Sequence, residues 1–120
     1  MFNYFTYEEF DSPDVQGSGQ MMSKDIILIL DSVRAELGKP IDINSGYRTP
    51  AHNEKVGGKP DSSHLKGLAV DIACKDSRYR FELVRELMEH GIDRIGIGNT
   101  FIHIDIDDSK SHGRIWTYGN

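Results

Sequence analysis

A single cysteine, Cys74, stands among the 120 residues. No disulfide can close within the chain, so packing or a bound metal must hold the fold. Cys74 ends an apolar run that starts at Ala69, which marks it as a core residue rather than a nucleophile. Long apolar runs are also missing. The longest, Ile26 to Leu30, is far too short to span a membrane. The first ten residues hold two glutamates and no basic cluster, so a secretory signal peptide is not expected and synthesis in the cytoplasm is. Basic residues are in deficit: a formal charge of -5 argues against a nucleic-acid partner, because phosphate binding relies on clustered Lys and Arg. Coiled-coil heptads and long apolar surface stripes are lacking, which leaves a monomer as the expectation. What remains is 38% hydrophobic and 28% charged, the balance of a soluble globular protein. The length suits one domain over residues 1–120 and has no room for a second.

The chain carries no internal repeat. Thr6 with Glu9 forms a capping box and predicts a short helix from Tyr7. Asp11 to Gln20, with Pro13, Gly17 and Gly19, reads as a loop. Ser23 can cap a helix whose Ile26, Leu30, Val33 and Leu37 recur at helical spacing, and Gly38 and Pro40 stop it. A short strand, Ile41 to Asn44, delivers the turn Ser45-Gly46-Tyr47-Arg48. Thr49 as cap and Pro50 at the first helical position start another helix, closed by Gly57-Gly58. Lys59 to Ser63 is loop and Gly67 to Cys74 a buried strand. Ser77 is expected to cap a third helix with Phe81, Val84, Leu87 and Met88 facing inward. Strands Ile92 to Ile97 and Phe101 to Ile106 meet at a tight turn, Gly98-Asn99. A last strand is expected around Arg114 to Tyr118. Helices followed by clustered strands with short connections predict an α+β domain, with helices packed on a mainly antiparallel sheet.

Two stretches hold the candidate chemistry. In the first, strand alternation puts Ile102, Ile104 and Ile106 on one face and Phe101, His103, Asp105 and Asp107 on the other. The isoleucines must face the core, so a histidine and a carboxylate stand side by side on the opposite face; a solvated strand face would look the same. In the second, Asp71 lies between Val70 and Ile72 in an otherwise apolar strand. A buried carboxylate needs a cation, a metal or strong donors. Ala69 and Ala73 leave space beside it, and His64, just before the Gly67 turn, could fold back towards it. Two histidines and a carboxylate would make a three-ligand set with a fourth zinc position left for water. Separately, they would be surface histidines and a salt-bridged aspartate.

The order of these motifs resembles that of the zinc peptidases that include D-alanyl-D-alanine carboxypeptidases and the L-alanyl-D-glutamate endopeptidases of phage lysins. Those proteins share a metal-site fold with the signalling domain of hedgehog proteins. The resemblance rests on Ser62, His64, Gly67, Ala69 and Asp71, on His103 within Phe101-Ile102-His103-Ile104-Asp105, and on the Ser45 to Arg48 turn. Thr49-Pro50-Ala51-His52-Asn53 and Val56-Gly57-Gly58 extend it, so that it runs from about Ile41 to Asp107. It implies zinc held by His64, Asp71 and His103. It further implies that Arg48 binds a substrate carboxylate or polarised carbonyl oxygen, for which a guanidinium fork is suited. Ser62 would help to position the substrate or the motif turn. The implied substrate is a peptidoglycan stem or cross-link peptide containing a D-amino acid, reached after lysis, particle assembly or another export route. Whether cleavage is exo or endo stays open.

One departure from the pattern stands at Thr100, where many members place a catalytic acid or histidine, three residues before the last ligand. The closest carboxylate is Asp105, which could serve as general base or as the acceptor that orients a ligand histidine. His52 and His112 are further histidines near these motifs, and both read as surface residues. Two other classes compete. A non-haem iron oxygenase also uses two histidines and a carboxylate, and His103-x-Asp105 has its spacing, but its jelly-roll scaffold needs many strands and a distant second histidine. A zinc-stabilised binding module without enzymatic activity is the alternative that the missing acid at Thr100 favours.

Overall fold

The fold is taken from a computed structural model that describes residues 2–119. Helix α1 (Lys24–Leu37) forms where no glycine or proline interrupts the apolar repeat. Ile26, Ile27, Leu30 and Val33 are wholly buried, so one face is committed to the core. Gly38 ends the helix in left-handed backbone, its N–H reaching the Arg34 carbonyl. Ser23 stands at the other end, but its side chain makes no capping bond; its N–H instead donates to the Gly67 carbonyl at 2.8 Å. Helix α2 (Pro50–Lys55) starts as its sequence demands, with the Thr49 hydroxyl accepting the His52 N–H at 3.1 Å.

Helix α3 (Ser77–Glu89) differs from expectation at its start and on its face. Asp76 is the cap, its carboxylate accepting the Tyr79 N–H at 2.9 Å. Phe81 and Met88 are exposed, at 66% and 51%, while Leu83 and Leu87 are fully buried. Tyr79, Phe81, Leu83, Val84, Leu87 and Met88 spread over too wide an arc for all of them to bury, and packing on α1 selects the stripe through Tyr79, Leu83 and Leu87. Short 3-10 helices cover Tyr7–Phe10, Ser18–Met21 and Ser63–Lys66, the second reaching into the segment expected to be loop.

Strands β1 (Ile43–Ser45), β2 (Ala69–Ala73), β3 (Arg94–Ile97), β4 (Phe101–Asp105) and β5 (Arg114–Thr117) form a sheet in the order β1-β2-β4-β3-β5. The sheet is mixed rather than antiparallel throughout, because β5 runs parallel to β3. Strand β4 is already flanked by β2 and β3, so the chain leaving it must cross to an edge. Returning beside β3, it takes the direction of β3. The β3–β4 turn is shifted by one residue from Gly98-Asn99: Gly98 N–H donates to the Phe101 carbonyl at 2.9 Å, with Asn99 and Thr100 at the corner.

Val70, Ile72, Ile95, Ile102 and Ile104 fill the core face of the sheet. Burying each isoleucine contributes on the order of 1.5–3 kcal/mol, and this commitment fixes which side chains point the other way. Ile106 follows the end of β4 and is only partly buried against the core. The opposite face carries one cross-strand row in register: Ser45, Asp71, His103, Gly96 and Trp116.

Candidate metal centre

Within this row, Asp71 and His103 are direct partners on β2 and β4. His64 comes from the 3-10 helix that precedes β2. Ser62 starts that turn by accepting the His64 N–H at 3.2 Å, and Gly67 ends it at φ 70°, where a Cβ would sit 2.2 Å from the Met21 carbonyl oxygen. The stretch between the expected loop (59–63) and β2 therefore carries a formed turn, which swings His64 over Asp71. Donor atoms of His64, Asp71 and His103 all lie within 4.8 Å of one another.

Hydrogen bonds assign an edge of each imidazole. Nδ1 of His64 lies 2.7 Å from the Gly46 carbonyl oxygen, which can only accept, so Nδ1 carries the proton. Its other edge, Nε2, faces Asp71 Oδ2 at 3.3 Å. His103 is held on both edges, with Nδ1 at 2.8 Å from Asp71 Oδ1 and Nε2 at 2.9 Å from Asp105 Oδ2. Burial would lower its pKa, but the bonds to Asp105 and Asp71 outweigh burial and hold it above the ordinary histidine value. For Asp71, burial works upward and is outweighed by bonds to His103 and His64, so its carboxyl stays well below the usual range. Arg48 adds a further cation, Nη2 to Asp71 Oδ2 at 3.3 Å.

This donor set fits a divalent metal ion. His64 offers Nε2, Asp71 a carboxylate oxygen, and His103 can exchange its Nδ1 proton for an ion while Nε2 keeps donating to Asp105. Two imidazoles and a carboxylate around an open fourth position match the preference of zinc. Asp105 is 2% exposed, and both its oxygens are engaged, Oδ1 accepting from Arg94 Nε at 2.6 Å. This is the arrangement by which an outer carboxylate fixes the tautomer and tilt of a ligand histidine.

The ligands open onto a cleft of about 810 Å³ lined by Arg48, Lys59, Ser62, Lys110, Trp116 and Tyr118 among others. The Trp116 ring lies 5.8 Å from that of His103, over Gly96, where any side chain would collide with it. The Arg94 guanidinium lies over the Trp116 ring, 5.0 Å from its centroid. Arg94, Trp116 and Tyr118 were expected in strands but not as residues of the site. Arg94 was within reach of sequence reasoning, since Arg94 and Gly96 alternate on β3 as His103 and Asp105 do on β4. Trp116 and Tyr118 depend on where β5 docks. His112 stands apart from the ligands, bonded to Asp93 at 2.8 Å and to Asp108 at 3.1 Å. His52 lies half-buried in α2, and Thr100 is exposed at the hairpin corner.

Asp107 is a buried anchor just beyond β4. It accepts from Ser63 Oγ at 2.7 Å and from Lys66 Nζ at 3.1 Å, tying the chain after β4 to the turn that carries His64. Among the described residues, no helix is long and apolar enough to cross a membrane.

A zinc D-Ala-D-Ala carboxypeptidase from Streptomyces albus G is 32% identical over 94 residues, covering 73% of this chain and 35% of that protein. The chain thus spans about a third of the length of the curated relative it matches. A family model described as Peptidase M15 matches residues 3–105, a span that contains His64, Asp71, His103 and Asp105. By that match the chain belongs to the peptidase M15 family.

Proposed function

We propose that the chain is a zinc metallopeptidase that hydrolyses amide bonds in peptidoglycan stem or cross-link peptides, acting as a monomer at the cell wall. The observation that carries this reading is the convergence of His64, Asp71 and His103 at the floor of a cleft that also presents a guanidinium. Zinc bound there would polarise a carbonyl oxygen and lower the pKa of a water molecule.

The chain's own residues supply the rest. Arg48 donates Nε to Ser45 Oγ at 3.1 Å, Nη1 to Asn53 Oδ1 at 3.3 Å and Nη2 to Asp71. Three of its five N–H groups are so engaged, and those left over can hold a substrate carboxylate or carbonyl oxygen in place. Ser62 positions the turn of His64 and borders the substrate path. Of the two roles open to Asp105, orientation of His103 fits its bonds better than proton abstraction, because Oδ1 is taken by Arg94 and the Asp107 N–H while Oδ2 holds His103 Nε2. The aromatic side chains of Trp116 and Tyr118 offer a wall for the apolar parts of a short peptide.

Digestion of purified peptidoglycan by the zinc-loaded chain, followed by mass spectrometry, tests the reading. Shortened stem peptides or released D-alanine, abolished by chelation, are expected; the fragments would name the bond and decide between exo and endo cleavage. Intact peptidoglycan in the presence of zinc-loaded protein would favour the zinc-stabilised binding module instead.

A further inference from the structure

Asn53 is a buried polar side chain, 4% exposed, on the helix next to the cleft. Its amide is used in both directions. The oxygen accepts from Arg48 Nη1 at 3.3 Å, and the nitrogen donates to the Lys59 carbonyl at 2.9 Å. The Asn53 carbonyl also accepts the Gly58 N–H at 2.8 Å. A Cβ at Gly58 would lie 2.0 Å from Asn53 Oδ1, so the rim comes this close only with glycine there. Only an amide of this length meets both demands. Aspartate would accept from Arg48 but has no donor for the Lys59 carbonyl, and alanine does neither.

The charged partner of Arg48, Asp71, belongs to the ligand cluster, so its bond to Arg48 competes with whatever that cluster holds. Asn53 lies outside the cluster. We infer that Asn53 is a positioning residue: it fixes the guanidinium plane of Arg48 and ties it to the Gly57-Gly58-Lys59 rim, which lines the same cleft. Arg48 then keeps its orientation while Asp71 changes partners. This inference rests on the reading of Arg48 as the group that holds substrate.

The test is the guanidinium NMR spectrum of arginine-labelled, zinc-loaded protein, joined to a double-mutant cycle. Asn53→Ala should shift and average the Arg48 Nη signals, while Asn53→Asp, which keeps the acceptor but loses the donor to the Lys59 carbonyl, should keep them resolved rather than averaged. Gly58→Ala, which drives a methyl into the amide oxygen, should displace the same signals and serves if Asn53→Ala does not fold. In hydrolysis of peptidoglycan peptides, Asn53→Ala should raise KM on the order of tenfold, the scale of one hydrogen bond to a charged group, with zinc content retained. In an Arg48→Ala background it should add nothing. Unchanged Arg48 signals in both Asn53→Ala and Gly58→Ala, or effects that add in the double variant, would overturn the inference. A wild-type chain that cleaves no peptide would defeat the peptidase reading alone, since the spectra still decide the role of Asn53.

Discussion

His103 Nε2 donates to Asp105 Oδ2 at 2.9 Å, on the ring edge opposite the Nδ1 that faces Asp71. The bond leaves Nδ1 as the edge for a metal and makes Asp105 the support of a ligand. Asp105→Asn should therefore weaken zinc binding by about 10–100-fold while leaving the site able to fill at high zinc. Competition titration with a chelator of known affinity measures this. An unaltered zinc Kd with a large fall in kcat would instead assign Asp105 the role of general base.

The two carboxylates around His103 also predict how chelation depends on pH. His103 is raised in the folded chain, so its stabilising effect is complete below the unfolded value of about 6.5 and is lost as pH rises through the folded one. Zinc must displace a proton from the same ring, so its affinity climbs over that range. Chelation should lower Tm more at about pH 8 than at about pH 6. Calorimetric scans with and without chelator check this, and equal shifts at the two pH values would argue against His103 as a ligand.

Asp107 gives the opposite sign. Burial would raise its carboxyl, but Ser109, Ser63 and Lys66 outweigh burial and hold it well below the usual range. A carboxyl depressed on folding stabilises fully above its unfolded pKa of about 4 and loses that contribution as pH falls towards the folded value. Asp107→Asn should cost about 1–3 kcal/mol at neutral pH, and the gap from wild type should close in acid. Urea unfolding at a series of pH values measures it. A gap that stays constant down to about pH 2 would show that the charge of Asp107 is not what ties β4 to the His64 turn.

Much of the centre was legible because it depends on short-range rules. The alternation Ile102, Ile104 against His103, Asp105 is a property of one strand, and burial of the isoleucines settles its facing. The turn from Ser62 to Gly67 is likewise local, although its 3-10 form was missed. What escaped depends on competition between elements. The face of α3 could not be read, because Phe81 and Met88 are as apolar as the Leu83 and Leu87 that bury. The parallel docking of β5 follows from β4 having both edges occupied, which no pattern within Arg114 to Thr117 records. Trp116 and Tyr118 were lost with it. Asn53 escaped because its two partners, Arg48 and Lys59, meet only across a folded loop.

Zinc content of purified variants tests the central claim most directly. Wild type and His112→Ala should carry stoichiometric zinc by elemental analysis, since His112 is occupied by Asp93 and Asp108 away from the ligand cluster. His64→Ala, Asp71→Ala and His103→Ala should each lose it while circular dichroism shows the fold retained. Zinc kept by a folded His103→Ala variant and lost from His112→Ala would contradict the metal centre assigned to His64, Asp71 and His103.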